Sequence, residues 1–206
     1  MRNLALAAAG LLLTACAPTL QRSAPEPAVY VLVAPEPAPE PGQALAADLQ
    51  VLRPVVAPVL RTERIATRWD GNRIDYYADA RWGGDLGAVV QSALVDGARA
   101  AGRFRAVEAD PGRFKATHVL GVEVTRFEAD YTAGNVPVAR VALTATVARQ
   151  QDRRALATWT VAAEQPAGAN TLSAVTAALG QAFDRAARDI VNGTGEAVAT
   201  DLSGQP

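Results

Sequence analysis

One cysteine (Cys16), one histidine (His118) and one lysine (Lys115) are all that 206 residues supply of the side chains most reactive sites are built from. A single cysteine leaves no disulfide framework. With one histidine and one cysteine no zinc site can be assembled. His118 stands in strand-like sequence with no Gly-x-Ser-x-Gly elbow anywhere in the chain, so it reads as a buried or edge-strand histidine rather than a catalytic base. Lys115 follows no glycine-rich phosphate loop. Carboxylates are plentiful, but no spacing nominates an acid–base pair for glycoside cleavage. No catalytic residue, metal or cofactor is therefore expected, and the chain reads as a non-enzyme. An excess of one charge is missing as well: 20 basic and 21 acidic residues make no nucleic-acid-binding face. The apolar run at residues 4–13 falls short of the ~20 residues a membrane-spanning helix requires.

That run has another use. Arg2 precedes it and Leu13-Thr14-Ala15-Cys16 ends it, which is the Leu-x-Ala/Gly-Cys pattern of a lipobox. Residues 1–15 read as a lipoprotein signal peptide. Cys16 becomes the acylated N-terminus, carrying chains of the palmitate kind. Each buried CH₂ contributes ~0.8 kcal/mol, so more than one chain holds a folded domain on a bilayer. Removing Arg2 takes the formal balance from 20 against 21 to 19 against 21, a net charge of −2.

Residues 16–28 carry Pro18, Pro25 and Pro27 and no apolar periodicity, as a tether would; a dozen residues in polyproline II would reach roughly 37 Å. A short β-branched run at 29–33 suggests a first strand, and 34–42, with four prolines, a loop. Alternation at 48–53 and the pair Val55-Val56 suggest further strands. Residues 60–69 and 73–80 flank Asp70-Gly71-Asn72, a hairpin in which Gly71 is expected to supply a positive φ. Alternation puts Ile74, Tyr76, Ala78 and Ala80 on one face and Arg73, Asp75, Tyr77 and Asp79 on the other. Asp85 is placed to cap a helix over 86–101 that Gly102 closes. Phe104-Arg105-Ala106-Val107 is a short strand and Asp110-Pro111-Gly112 a turn. Runs at 118–128, 136–149 and 155–164 predict an antiparallel meander. A last amphipathic helix starts near Thr171 and is expected to stop at Asn192-Gly193, with Gly180 marking close packing on the sheet. The expectation is an α+β fold: a mostly antiparallel sheet with two amphipathic helices packed on one face. The domain spans 29–192, and 193–206 is expected to be a disordered tail.

Aromatic side chains are scarce, with 3 Trp, 4 Tyr and 4 Phe, and four of the eleven crowd into one hairpin: Trp69, Tyr76, Tyr77 and Trp82. Exposed Trp and Tyr are favoured at protein interfaces, so these four are the candidate partner-binding residues. The competing reading is that most of them cap the core. Arg64, Arg68, Arg73 and Arg81, interleaved with Glu63, Asp70, Asp75 and Asp79, read as solvated cross-strand pairs.

In order, the lipobox at Cys16, the Tyr30-Val31-Leu32 strand, the Pro-rich loop, residues 65–69, Tyr76-Tyr77-Ala78 with Trp82 opening into the first helix, and Val122-Glu123-Val124-Thr125-Arg126-Phe127 resemble the ABC-type transport auxiliary lipoproteins, a PqiC-like family. The long acidic-proline loop and the C-terminal extension depart from that pattern. The resemblance implies a non-catalytic auxiliary component of an ABC/MCE-type lipid transport system that maintains envelope integrity. Its implied partners are an MCE-domain protein and an inner-membrane permease, with membrane contact through the lipid anchor and self-association left open. Ala17 is not the aspartate that commonly retains lipoproteins in the inner membrane, so the outer membrane, facing the periplasm, is the expected location. Two other readings stand beside this one. One is a structural assembly lipoprotein for lipopolysaccharide export or cell-wall synthesis; the other is direct lipid carriage between helices and sheet.

Overall fold

The computed structural model describes residues 26–33, 44–109 and 115–204. The signal peptide, Cys16, most of the tether, the Pro-rich loop and the Asp110-Pro111-Gly112 turn lie outside the described residues.

The sheet is built around β7 (His118–Asp130), 13 residues long. Along one edge β7 pairs antiparallel with β8 (Val138–Arg149) from His118↔Arg149 to Asp130↔Val138, and β8 pairs antiparallel with β9 (Ala155–Pro166). Along the other edge lie three pieces of one earlier segment, all parallel to β7. β2 (Leu45–Val51) takes the first third, β3 (Val55–Val56) the middle and β4 (Arg64–Asp70) the last. Pro54 and Pro58 stand at the two interruptions, where a missing N–H and a fixed φ end a ladder; a 3-10 turn at Pro58–Leu60 follows the second. β5 (Arg73–Trp82) folds back antiparallel on β4, and β1 (Ala28–Tyr30) adds parallel to β5. β6 (Phe104–Glu108) adds parallel to β2.

The nine-stranded sheet is therefore mixed, not mostly antiparallel. The antiparallel expectation holds for the β4–β5 hairpin and the β7–β8–β9 meander. It fails elsewhere because α1 (Leu86–Ala100) carries the chain back across the sheet, so that β6 and β7 run in the direction β2 already had, as a crossover requires. The α+β class is consistent with this architecture.

Asp85 caps α1 by accepting from Ala88 N at 3.2 Å, and Gly102, at φ 66°, ends it. α1 packs against β2, β3 and β6, while α2 (Leu172–Ser203) packs against β7, β8, β9 and β2; the helices touch each other. Between them and the sheet lies a filled core that includes Leu49, Ile65, Leu94, Leu120, Val124, Phe127, Leu143, Leu179, Phe183 and Ile190.

Three local expectations need correction. Gly71 is not in the positive-φ region; the hairpin closes instead through the Asp70 carboxylate, which accepts from Asn72 N at 3.3 Å and Arg73 N at 2.9 Å. Gly180 makes no close approach to the sheet, whereas a Cβ on Gly193 would stand 2.8 Å from the Trp159 ring and one on Gly195 2.6 Å from the Arg103 guanidinium. Nor does Asn192-Gly193 stop the helix. α2 runs for 32 residues to Ser203, because Thr194, Gly195 and Val198 are buried beyond the expected stop. Asp201 then ties the last turn to the meander: Arg149 Nε donates to it at 3.0 Å, and His118 Nε2 lies 3.2 Å away. The domain thus continues past residue 192, and 193–204 is not a disordered tail.

A chain ending at Asn192 is expected to lose at least ~3 kcal/mol of unfolding free energy, through the lost burial of Val198 and the orphaned Arg149. Urea denaturation of the truncated and full chains measures it; equal midpoints would show the last three turns to be dispensable.

Candidate partner-docking site

The hairpin register decides where its four aromatic residues go. Arg64 pairs with Arg81 but Ala66 pairs with Tyr76, so residues 77–80 of β5 stand opposite the single Ile65. Strict alternation cannot survive such an irregularity. Ala80, its last residue, and Trp82 just beyond it both turn inward.

Trp82 is consequently a core residue, 2 % exposed, with its ring edge-on to Phe127 at 5.6 Å. It leaves the candidate contact. Tyr76 goes to the face away from the helices: its hydroxyl donates to the Val59 carbonyl at 2.6 Å, and the Arg64 guanidinium lies 4.5 Å above its ring. Trp69 and Tyr77 do converge, on a residue the sequence reading had passed over. Tyr131 stacks on Trp69 with centroids 4.2 Å apart and planes 5° from parallel, and its hydroxyl lies 2.6 Å from that of Tyr77. Since Tyr131 donates to Asn170 Oδ1 at 2.8 Å, the Tyr77 hydroxyl is the donor in the tyrosine pair. Burial, then the bond to Tyr131, pushes the Tyr77 phenol far above its ordinary pKa, so it stays protonated. The Trp69 indole N–H donates to Thr67 Oγ1 at 3.1 Å. Trp69 itself is 45 % exposed, and the loop after Tyr131 exposes Val136 at 50 %. The result is a half-exposed indole braced on buried Tyr131 at the C-terminal end of β7. Tyr131 could have been read from the sequence as an aromatic ending an alternating run just before a Gly-containing turn.

Opposite this surface the same end of the sheet holds a charge network. Glu128, fully buried, accepts from Arg68 Nε at 3.1 Å and Arg126 Nε at 2.8 Å. Asp130 accepts from Thr132 N at 2.9 Å and Arg126 at 3.3 Å. Arg140 Nε lies 2.8 Å from Asp130 without a hydrogen-bonding angle, a charge contact only, while its Nη1 pairs with Glu164. Burial alone would raise the Asp130 carboxyl, but the Thr132 hydroxyl and N–H, with Arg140 and Arg126, outweigh it and hold the pKa below the ordinary value. Of the expected surface pairs, Arg81–Glu63 and Arg73–Asp75 form at 3.0 Å, whereas Arg68 is drawn into the buried network.

At the other end of β7, His118 is buried, with Nδ1 2.9 Å from Thr117 Oγ1. With Arg149 it is committed to Asp201. Among the described residues no cluster of His, Cys, Asp and Glu could hold a metal ion, and no helix is long and apolar enough to cross a membrane. The filled helix–sheet interface gives no support to lipid carriage there.

The family model described as "ABC-type transport auxiliary lipoprotein component" matches residues 30–191. The crystal structure of protein XCC0632 from Xanthomonas campestris is similar in fold, with a TM-score of 0.78 at 24 % identity, over 85 % of this chain and 99 % of that one. An uncharacterized protein follows with a TM-score of 0.64 at 14 % identity, covering 82 % of this chain and 98 % of its own. The hypothetical protein CT253 from Chlamydia trachomatis reaches a TM-score of 0.53 at 10 % identity, covering 75 % and 99 %. No curated protein matches the chain.

Trp82→Ala is expected to cost ~3–5 kcal/mol in chemical denaturation, and Trp69→Ala less than about 1 kcal/mol; similar costs would refute the division into core and surface. Because the folded pKa of Asp130 is depressed, the stability its carboxylate contributes is present above the unfolded value of ~3.9 and lost as pH falls from there through the folded one. Asp130→Asn should accordingly be less stable than the parent near neutrality and converge with it in strong acid. Denaturation midpoints across that range give the comparison.

Proposed function

From membership of the ABC-type transport auxiliary lipoprotein component family, to which this chain belongs, we propose that it is a non-catalytic lipoprotein of the outer membrane. It is anchored through Cys16 and docks the periplasm-spanning MCE-domain protein of a lipid transport system whose permease sits in the inner membrane. The observation that carries the docking role is the Trp69–Tyr131 stack: a half-exposed indole seated on a buried tyrosine and held at a single geometry by Tyr77, Thr67 and Asn170 before any partner arrives. Side chains fixed in advance lose little freedom on association, which is why rigid exposed Trp and Tyr serve as interface anchors. Ala17 supports the outer membrane as the location. Structural support of lipopolysaccharide export or cell-wall machinery is the alternative reading.

The test is a mild-detergent pull-down of the lipidated full chain with mass spectrometry of what it retains. Parallel chains carry Cys16→Ser or Trp69→Ala with Tyr77→Phe. The parent should retain an MCE-domain protein and its permease, the Cys16→Ser chain should leave the membrane fraction, and the aromatic double variant should lose the MCE-domain protein at least tenfold while staying folded. Recovery of lipopolysaccharide or cell-wall machinery instead would replace the transport reading with the assembly one.

A further inference from the structure

The aromatic end is not the only open surface. β9 closes its side of the sheet, and among the described strands it pairs with β8 alone. Proteins usually keep such edges short, or break them with bulges, prolines and lysines, because unpaired backbone invites another strand. The other two terminal strands obey this, with 3 residues in β1 and 5 in β6. β9 has 12 residues, no lysine, no proline before Pro166, and a regular register from Ala157 onward.

The phase of its open hydrogen bonds follows from two contacts. Ala167 N donates to the Pro137 carbonyl at 2.9 Å, so odd-numbered residues of β9 exchange bonds with β8. Even-numbered ones turn away. Arg185 of α2 reaches the Glu164 carbonyl at 2.8 Å from that open side, as this phase requires. The outward N–H and C=O groups of Thr158, Thr160 and Ala162 meet no partner among the described residues.

Beside this edge, β9 and α2 enclose a groove of about 760 Å³ with Trp159 on its floor and Asp189, Asn192, Gly193 and Glu196 along its α2 wall. Gly193 is what lets the Trp159 ring lie against the helix. Asp189 and Glu196 are two helical turns apart, and neither meets a cation among the described residues. The Trp159 indole N–H is likewise without an acceptor there.

We propose that β9 accepts an extended basic segment of another protein as a tenth strand, with backbone bonds to Thr158, Thr160 and Ala162. Alternate side chains of that segment enter the groove, where lysine or arginine meets Asp189 and Glu196. Strand addition supplies affinity through the main chain and selectivity through alternate side chains. Here the selectivity is for positive charge, which separates this surface in chemistry and position from the Trp69 end.

Two nine-residue peptides serve as probes, one alternating threonine with arginine and the other threonine with glutamate, titrated calorimetrically into the full lipidated chain in detergent. The arginine peptide should bind at least tenfold more tightly than the glutamate peptide. Asp189→Asn with Glu196→Gln, at exposed helix positions, should weaken it at least tenfold. Thr160→Pro removes the outward N–H and the Thr160–Thr144 hydroxyl bond of 3.0 Å, leaves the backbone bonds to β8 in place and should abolish binding. Should that variant unfold, the charge variant alone decides. Equal affinity for the two peptides, no binding of either, or self-association that Thr160→Pro abolishes would each overturn the proposal, the last by giving the edge to a second copy of this chain.

Discussion

β7 is paired on both edges over nearly its whole length, and every other part of the domain takes its place from that. A strand so enclosed has most of its backbone groups satisfied inside the sheet, and the Phe127 N–H is taken by the Glu128 carboxylate at 3.0 Å, so its position is fixed and its neighbours inherit its register. The meander on one side is continuous. The other side is assembled from β2, β3 and β4, which advance along β7 in order because the prolines between them interrupt the strand without changing its course. One irregularity in β7, between Val124 and Arg126, shifts the alternation. After it Phe127, Ala129 and Tyr131 share the helix side while Arg126, Glu128 and Asp130 share the other. The aromatic surface and the buried charge network are two consequences of that one shift.

The charge network and the Asp201 clamp work at opposite ends of this strand. One places buried Glu128 and Asp130 among arginines and the other sets buried Asp201 against Arg149 and His118, arrangements costly to break because the survivor is left unpaired. Their placement pins the ends of a sheet whose middle is held by apolar packing against Phe183 and Ile190. The Asp201 clamp also explains how a helix can continue through Asn192-Gly193. Local preference for a stop there amounts to ~1 kcal/mol for the glycine, against the burial of Val198 and the charge contacts of the last turn.

The two open surfaces differ in kind. At the Trp69 end, a half-exposed indole fixed by stacking and hydrogen bonds has little freedom left to lose. Along β9 the backbone itself is the available group, with acidic side chains beside it.

Much of the secondary structure was legible in the chain by itself. The β4–β5 hairpin, the Asp85 cap, the Gly102 stop, the three strands of the meander and the start of α2 at Thr171 rest on contacts between near neighbours, and residue type is enough to specify those. The order of short stretches from the lipobox at Cys16 through Tyr30-Val31-Leu32, Tyr76-Tyr77-Ala78 and Val122 to Phe127 also carried the resemblance to the family that the chain belongs to. What only the tertiary structure decided were relations between distant residues. The parallel direction of β2, β3 and β4 along β7 depends on a crossover through α1. The burial of Trp82 depends on an irregularity that no alternating pattern announces, and the meeting of Trp69 with Tyr131 joins positions 62 residues apart. The continuation of α2 to Ser203 depends on partners that β6, β8 and β9 hold in place. Hydrophobic period and turn chemistry act over a few residues, whereas register, bulges and buried ion pairs are settled only when the strands are brought together.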